Sequence, residues 1–278
     1  MAEPVFDRVR FDALLCTHIA GRHLIARAEA ESTNDVAWEA CAQGMPDGTT
    51  VVADAQTRGR GRAGRSWQTG PGKGLALSLL LHVGCSPKSG AGRGAIPLAA
   101  GLALARALER FGARADLKWP NDLLIGGRKA AGILCESRRG GAGVEPGAGD
   151  AVVIGVGVNV REEREDLGAL ADLATSLAIE GCAASREEVA AEFLNALEPL
   201  WAELEEGDPA TVLAAWRERA SFWGRAVRVR TPAGEVTGVA TGLDPGGGLV
   251  IEREGVAVTV HAGDLELTEV AESGTEHA

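Results

Sequence analysis

The stretch Gly59-Arg60-Gly61-Arg62-Ala63-Gly64-Arg65-Ser66-Trp67 packs three glycines, three arginines and one indole into nine residues, and Arg58 adds a fourth guanidinium just before it. Glycine lets the backbone take positive φ and approach a ligand closely, while arginine brings a rigid, always-charged fork suited to phosphate and carboxylate oxygens. Residues 55–108 hold eight Lys or Arg and no Asp or Glu, a window of +8 in a chain whose net charge is −11. A basic island in an acidic protein is where a phosphate-bearing ligand would concentrate.

Three readings compete for this loop. One is a solvated Arg/Gly segment without a partner. A second takes Gly59-x-Gly61-x-x-Gly64 as a dinucleotide fingerprint after the short strand Val51-Val52-Ala53. That fingerprint has to open a helix and be followed by an acidic residue about 20 positions on. Here Gly70, Pro71, Gly72 and Gly74 prevent a helix, and no carboxylate appears before Glu109. The third reading is a loop that is mobile in the free chain and closes over a nucleotide and a carboxylic acid. Its glycines raise the backbone entropy, and its four like charges oppose compaction until an anion arrives.

A chain of 278 residues can bury one substantial core and a small second domain. The acidic balance disfavours a general nucleic-acid binder. Cys16, Cys41, Cys85, Cys135 and Cys182 form no C-x-x-C pair, which points to free thiols in a reducing cytoplasm rather than a disulfide framework or zinc site. No apolar run approaches transmembrane length, so no membrane partner is expected. Tyrosine is absent, which excludes phenolic acid–base chemistry.

Along the chain, Glu31-Ser32-Thr33-Asn34-Asp35 supplies side-chain acceptors ahead of a helix over Val36–Gln43, and Ser32 with Asp35 has capping-box spacing. Strands are expected at His23–Ala30, Thr49–Ala53 and Leu75–Leu81. The apolar spacing of Leu98, Leu102, Ala105, Leu108 and Phe111 predicts a core helix over Pro97–Phe111. Leu117 to Ile125 then sets Lys118, Trp119, Asn121 and Asp122 among apolar residues, with Lys129 just beyond the Gly126-Gly127 turn. Burying such groups is costly unless they are paired, and two lysines and an amide beside a Trp point to a ligand pocket. Ala151–Val160 reads as a central strand whose glycines permit close approach, with Asn159 as its one polar residue. Residues 138–150 read as a mobile Gly-rich loop. Ser185-x-x-Glu188 is a capping box, and Asp208-Pro209 has the character of N-cap and first helical residue. From Arg225 the period changes to two, and five short strands in about forty residues predict a small barrel. The domains are therefore set at 1–223 and 224–278.

Taken in order, Glu31 to Asn34, Gly59 to Trp67, Lys118 to Asp122, Gly127 to Leu134 and Gly155 to Asn159 resemble the biotin–protein ligases (biotin–[acetyl-CoA-carboxylase] ligases) over residues 28–268. The resemblance implies an α+β fold: a mixed sheet flanked by helices, like that of class II aminoacyl-tRNA synthetases, followed by an SH3-like β-barrel. It implies ATP-dependent attachment of biotin to one lysine of a biotin carboxyl carrier protein. It places Ser32, Thr33, Asn34, Gln56, Arg60, Gly61, Arg62, Lys129 and Gly132 at biotin. It places Arg62, Arg65, Trp67, Lys118, Asn121 and Asn159 around ATP, with Lys129 and Arg62 as catalytic cations. Mg²⁺ is expected, its ligands unassigned. The protein is expected to act in the cytoplasm as a monomer or homodimer. Some family members carry an N-terminal DNA-binding domain, which about thirty residues before Glu31 cannot hold, so no DNA partner is expected. A lipoate or octanoate ligase of the same fold is the nearest rival, and an RNA-binding protein using the Arg/Gly loop is the rival from another class.

Overall fold

A computed structural model describes residues 6–83, 93–139 and 150–268. The elements of the first unit are α1 (Arg8–Leu14), β1 (Leu24–Ala30), α2 (Thr33–Ala42), β2 (Thr50–Gln56), β3 (Leu75–Val83), α3 (Ile96–Glu109), β4 (Asp116–Lys118), β5 (Asp122–Ile125), β6 (Arg128–Arg138), β7 (Asp150–Val158), the single turn α4 (Arg164–Leu167), α5 (Arg186–Glu205) and α6 (Ala210–Glu218). The second unit is β8 (Ala226–Thr231), β9 (Gly234–Leu243), β10 (Leu249–Arg253), β11 (Val256–Val260) and β12 (Asp264–Leu267). The Gly-rich stretch at 140–149 lies outside the described residues.

The seven strands of the first unit form one sheet in the order β1-β2-β3-β7-β6-β5-β4. Only β1 and β2 run parallel, so the sheet is mixed. Side chains alternate across a strand, and the two faces diverge accordingly. Leu75, Leu77 and Leu79 of β3 and Ile154, Val156 and Val158 of β7 point to α3 and α5, where they join the main core. On the other face α2 covers only one end, packing Ala37, Trp38 and Cys41 on Val51, Leu80 and Val153. Beyond α2 that same face continues over Gly155 and Gly157, which have no side chain to fill it. The sequence thus leaves an open trough on an otherwise covered sheet.

Behind β2, Arg186 at the start of α5 donates to Asp54 Oδ1 at 2.6 Å, both residues buried. The backbone N–H of Phe6 donates to the same oxygen at 3.1 Å. The capping box holds: Ser185 accepts from Glu188 N, and Glu188 accepts from Ser185 N. The Asp208-Pro209 start is shifted by one residue. Pro209 is the cap, and Asp208 Oδ1 accepts from Ala210 N at 2.9 Å.

The second unit is a five-stranded antiparallel sheet in the order β11-β10-β9-β8-β12. Trp119, buried between β4 and β5, donates its indole N–H to Gly247 O of this unit at 3.1 Å. Gly94 and Gly246 approach so closely that a Cβ on Gly94 would run into Gly246 O.

Candidate active site

The trough has a floor of Gly132 on β6 and Gly155 and Gly157 on β7, and the two glycines of β7 leave no room for a side chain. A Cβ on Gly155 would run into Asn34 Oδ1, and one on Gly157 into the Trp67 indole. At Gly132 it would meet Lys129 Nζ at 3.2 Å and Trp67 Cζ3 at 3.6 Å. The trough therefore runs from a polar end under the start of α2 to a charged end at Lys129, with Trp67 laid across it.

At the polar end, Thr33 and Asn34 occupy the first turn of α2. Gln56 Oε1 accepts from Thr33 N at 2.9 Å and from Thr33 Oγ1 at 3.2 Å. Ser78 of β3 lies 2.8 Å from Thr33 Oγ1 and 2.6 Å from Asn34 Oδ1. Asn34 Nδ2 donates to Glu136 Oε2 at 3.1 Å. Ser32 is the N-cap residue and is buried, yet its side chain makes no capping hydrogen bond. The capping-box spacing with Asp35 is thus not used. Asp35 instead takes Arg60, at 2.6 and 2.7 Å.

At the charged end, Lys129 Nζ donates to Asp122 Oδ1 at 2.6 Å and stands 5.7 Å from the centre of the Trp67 ring. Asn121, one residue before Asp122, donates to Ile133 O at 2.7 Å and accepts from Arg62 Nη1 at 3.2 Å. Burial pulls the Arg62 pKa below its usual value, with Asp264 opposing that shift. Lys118 faces Asp122 across the β4–β5 ladder and has no hydrogen bond or ion pair with the described residues. Asn159 donates its side-chain amide to Thr175 O at 2.8 Å, a bridging bond at the end of β7.

The Arg/Gly loop lies across this face. Arg58 pairs with Glu31 at 2.9 Å, and Arg60 with Asp35 and Glu136. Arg65 pairs with Asp264 of the second unit at 2.6 Å. In this arrangement the like charges, expected to keep the loop open until a ligand arrives, lie against oxygen acceptors. Carboxylates from outside the basic window neutralise three of the four guanidiniums, and Arg62 turns to the neutral oxygens of Asn121 and Gly263. Between Arg60–Arg65, Ile133–Glu136 of β6 and Gly246–Gly248 lies a cavity of about 490 Å³.

The structure thus gathers Thr33, Asn34, Gln56 and Arg60 at one end of the trough and Arg62, Trp67, Asn121, Lys129 and Gly132 at the other. Gly61 lies on the loop between them, where its N–H donates to Arg65 O. Lys118 and Asn159 stand at the margin, and Arg65 faces the second unit. Sequence reasoning took Asp35 only as a capping residue and did not pick out Ser78, Glu136 or Asp264, whose partners are distant in the chain. Among the described residues no three His, Cys, Asp or Glu side chains converge as a metal group.

The Biotin/lipoate A/B protein ligase family profile matches residues 26–159, and that of the Biotin protein ligase C terminal domain matches residues 222–267. The chain is 35% identical to the biotin–[acetyl-CoA-carboxylase] ligase of Mycobacterium tuberculosis over 94% of this chain and 95% of that protein. It is 33% identical to the bifunctional ligase/repressor BirA of Bacillus subtilis over 94% of this chain and 78% of that protein. Among solved structures, the biotin protein ligase from Aquifex aeolicus in complex with biotin and ATP matches with a TM-score of 0.73 at 30% identity, over 89% of this chain and 99% of that one. Both halves of the chain match, nearly end to end and over a trough built from the residues that the motifs contain: the chain belongs to the biotin protein ligase family.

Proposed function

We propose that the protein activates biotin with ATP as biotinyl-5′-AMP and transfers the biotinyl group to one lysine of a biotin carboxyl carrier protein. The observation that carries this reading is the glycine-floored trough, polar at Asn34 and cationic at Lys129, in a chain of this family. Ser32, Thr33, Asn34, Gln56, Arg60, Gly61 and Gly132 hold biotin, its ring at the polar end. Its carboxylate lies towards Lys129, whose bond to Asp122 it shares or displaces.

Adenylation brings a carboxylate against the α-phosphate, two anions that repel. Fixed cations on both lower the barrier. Lys129 and Arg62 take that role, with Arg65, Trp67, Lys118, Asn121 and Asn159 around the nucleotide. The carboxylate oxygen bonds to the α-phosphorus and pyrophosphate leaves with the electrons of the broken P–O bond. The carrier's lysine amine then attacks the acyl carbon, the C–O bond to phosphate breaks, and AMP leaves. No side chain of the ligase itself acts as nucleophile, so positioning and charge supply the rate.

Mg²⁺ would be expected with ATP, supplying charge neutralisation on the triphosphate oxygens. The catalytic unit is taken as 1–223 and the barrel unit as 224–278. The net charge of −11 supports a reading without duplex DNA as partner. Free thiols at Cys16, Cys41, Cys135 and Cys182 support work in the cytoplasm, and the protein is taken to act as a monomer or homodimer. No helix of the described residues is long and apolar enough to cross a membrane.

The test is to incubate the protein with ATP, Mg²⁺ and a carrier domain, adding biotin or lipoate. Pyrophosphate release is followed, and the carrier is weighed by mass spectrometry. Biotin-dependent release and a biotinylated carrier are expected. Release with lipoate alone would replace the reading with that of a lipoate ligase.

A further inference from the structure

Among the described residues, Glu136 is the carboxylate hydrogen-bonded both to the Asn34 side chain at the polar end of the trough and to Arg60 on the loop that covers it. It sits on β6 opposite Val153 of β7, on the glycine face of the sheet. Its Oε2 accepts from Asn34 Nδ2 at 3.1 Å and from Trp38 Nε1 at 3.0 Å. Arg60 Nη2 reaches Oε1 at 3.1 Å and Oε2 at 3.3 Å. Every one of these partners is an N–H donor. An ionised carboxylate can accept from all of them at once, whereas a carboxamide offers one oxygen and turns an N–H towards the rest.

The consequence passes to Asn34. With Nδ2 committed to Glu136, its Oδ1 is left facing Ser78 Oγ at 2.6 Å, beside Thr33 and Gln56. Asn34 is 3% exposed and lies directly over Gly155, so it cannot swing aside. The charge on Glu136, with a longer contact from Asn34 Nδ2 to Leu134 O at 3.4 Å beside it, therefore sets which end of the Asn34 amide presents a donor and which an acceptor. The same charge draws Arg60 over the start of α2. The Asp35 carboxylate, the other one on Arg60, pairs with Arg60 at 2.6 and 2.7 Å, while the Asn34 carboxamide donates to Glu136.

We propose that Glu136 is a positioning residue: one carboxylate sets the polarity of the Asn34 amide in the pocket for biotin's ring and seats Arg60 on the covering loop. This rests on the biotin reading given above. A residue acting in this way controls how well biotin binds, while the remote nucleotide end and the chemical step are left nearly as they are.

The test compares the wild-type protein with Glu136→Gln, Glu136→Asp and Asp35→Asn, measuring pyrophosphate release against biotin at saturating ATP and against ATP at saturating biotin. For Glu136→Gln the biotin KM should rise roughly ten- to hundredfold, the scale of one lost charge-assisted hydrogen bond. The KM for ATP and kcat should stay within about threefold, a split that general loosening of the structure would not produce. Glu136→Asp, which keeps the charge, should fall between wild type and Glu136→Gln, and it carries the test if the glutamine variant does not fold. Asp35→Asn should raise the biotin KM less than Glu136→Gln. An unchanged biotin KM in both Glu136 variants, a fall in kcat alone, or an equal effect of Asp35→Asn would overturn the proposal. A wild-type protein that releases no pyrophosphate with biotin would instead overturn the biotin reading beneath it.

Discussion

Gly155 lies directly beneath the carboxamide of Asn34, so close that a Cβ at position 155 would run into Asn34 Oδ1. Asn34 is tied by Ser78 on one side and Glu136 on the other and has nowhere to go. Gly155→Ala should therefore force a shift of β7 or of α2. Overpacking of this kind costs about 1–3 kcal/mol. Urea unfolding should show that loss, and the KM for biotin should rise at least as steeply as for any other single methyl added to the trough. A Gly155→Ala protein with wild-type stability and biotin KM would mean that the floor of the trough yields.

Lys129→Ala should slow adenylate formation by about one to two decades, since a lost charge-assisted contact is worth about 1.5–3 kcal/mol. Asp122 would be left without the ammonium it now holds at 2.6 Å. Pyrophosphate release and thermal melting measured on the same preparation should fall out of step, the rate dropping far more than the Tm. Wild-type pyrophosphate release would remove Lys129 from the site.

Glu162, just beyond β7, is 6% exposed, and its Oε2 has no hydrogen-bond partner among the described residues. Burial raises its pKa above the ordinary carboxylate value, with backbone N–H groups and Asp166 as lesser influences. The folded state therefore holds this proton to higher pH than the unfolded state does. Stability is lost as pH rises from the ordinary carboxylate value through the raised folded one, and the loss persists above it. Glu162→Gln should melt at a higher temperature than wild type at neutral pH, with the gap closing as pH falls below the ordinary carboxylate range. A gap that widens in acid would mean that the buried carboxyl is ionised.

Cys135, in β6, has its thiol pKa pushed up to about 12 by burial, with Glu136 adding to the effect and Arg62 opposing it. The thiolate is the reactive form, so this cysteine should be inert near neutral pH. Cys16 is exposed. Brief alkylation of the native protein followed by peptide mass mapping should label Cys16 and spare Cys135 until denaturant is added. Early labelling of Cys135 would show that the reagent reaches its thiol through the cavity that Ile133–Glu136 line.

Features governed by neighbours in the chain were legible from the residues alone. The Ser185 and Glu188 box depends on residues three apart, and the apolar runs of β3 and β7 declare their burial directly. The glycines at 155 and 157 correctly announced a close approach. What could not be read was which partner comes close, because the contacts join remote stretches. Glu136 looks like the polar end of an apolar strand, yet it meets Arg60 and Asn34 from 76 and 102 residues away. Asp264 reaches Arg65 across 199 residues. The loop's charge was legible, but its neutralisation was not, since all the acceptors lie outside the window that made it basic. Ser32 shows the reverse failure: its spacing fits a capping box, but burial beside the trough leaves its hydroxyl out of the cap.

Asp264 also makes the second unit a tethered rival for a guanidinium that the nucleotide would claim. A free carboxylate would have to be present at high concentration to hold Arg65, whereas a covalently attached one is always near, at an effective concentration set by the fold. The pair is solvent-exposed, and such pairs are worth only about 0–1 kcal/mol. If Arg65 serves the nucleotide as proposed, self-competition of that size lowers the apparent affinity for ATP by at most about sixfold. In that reading Asp264 holds Arg65 in place between turnovers and surrenders it to a triphosphate with little resistance.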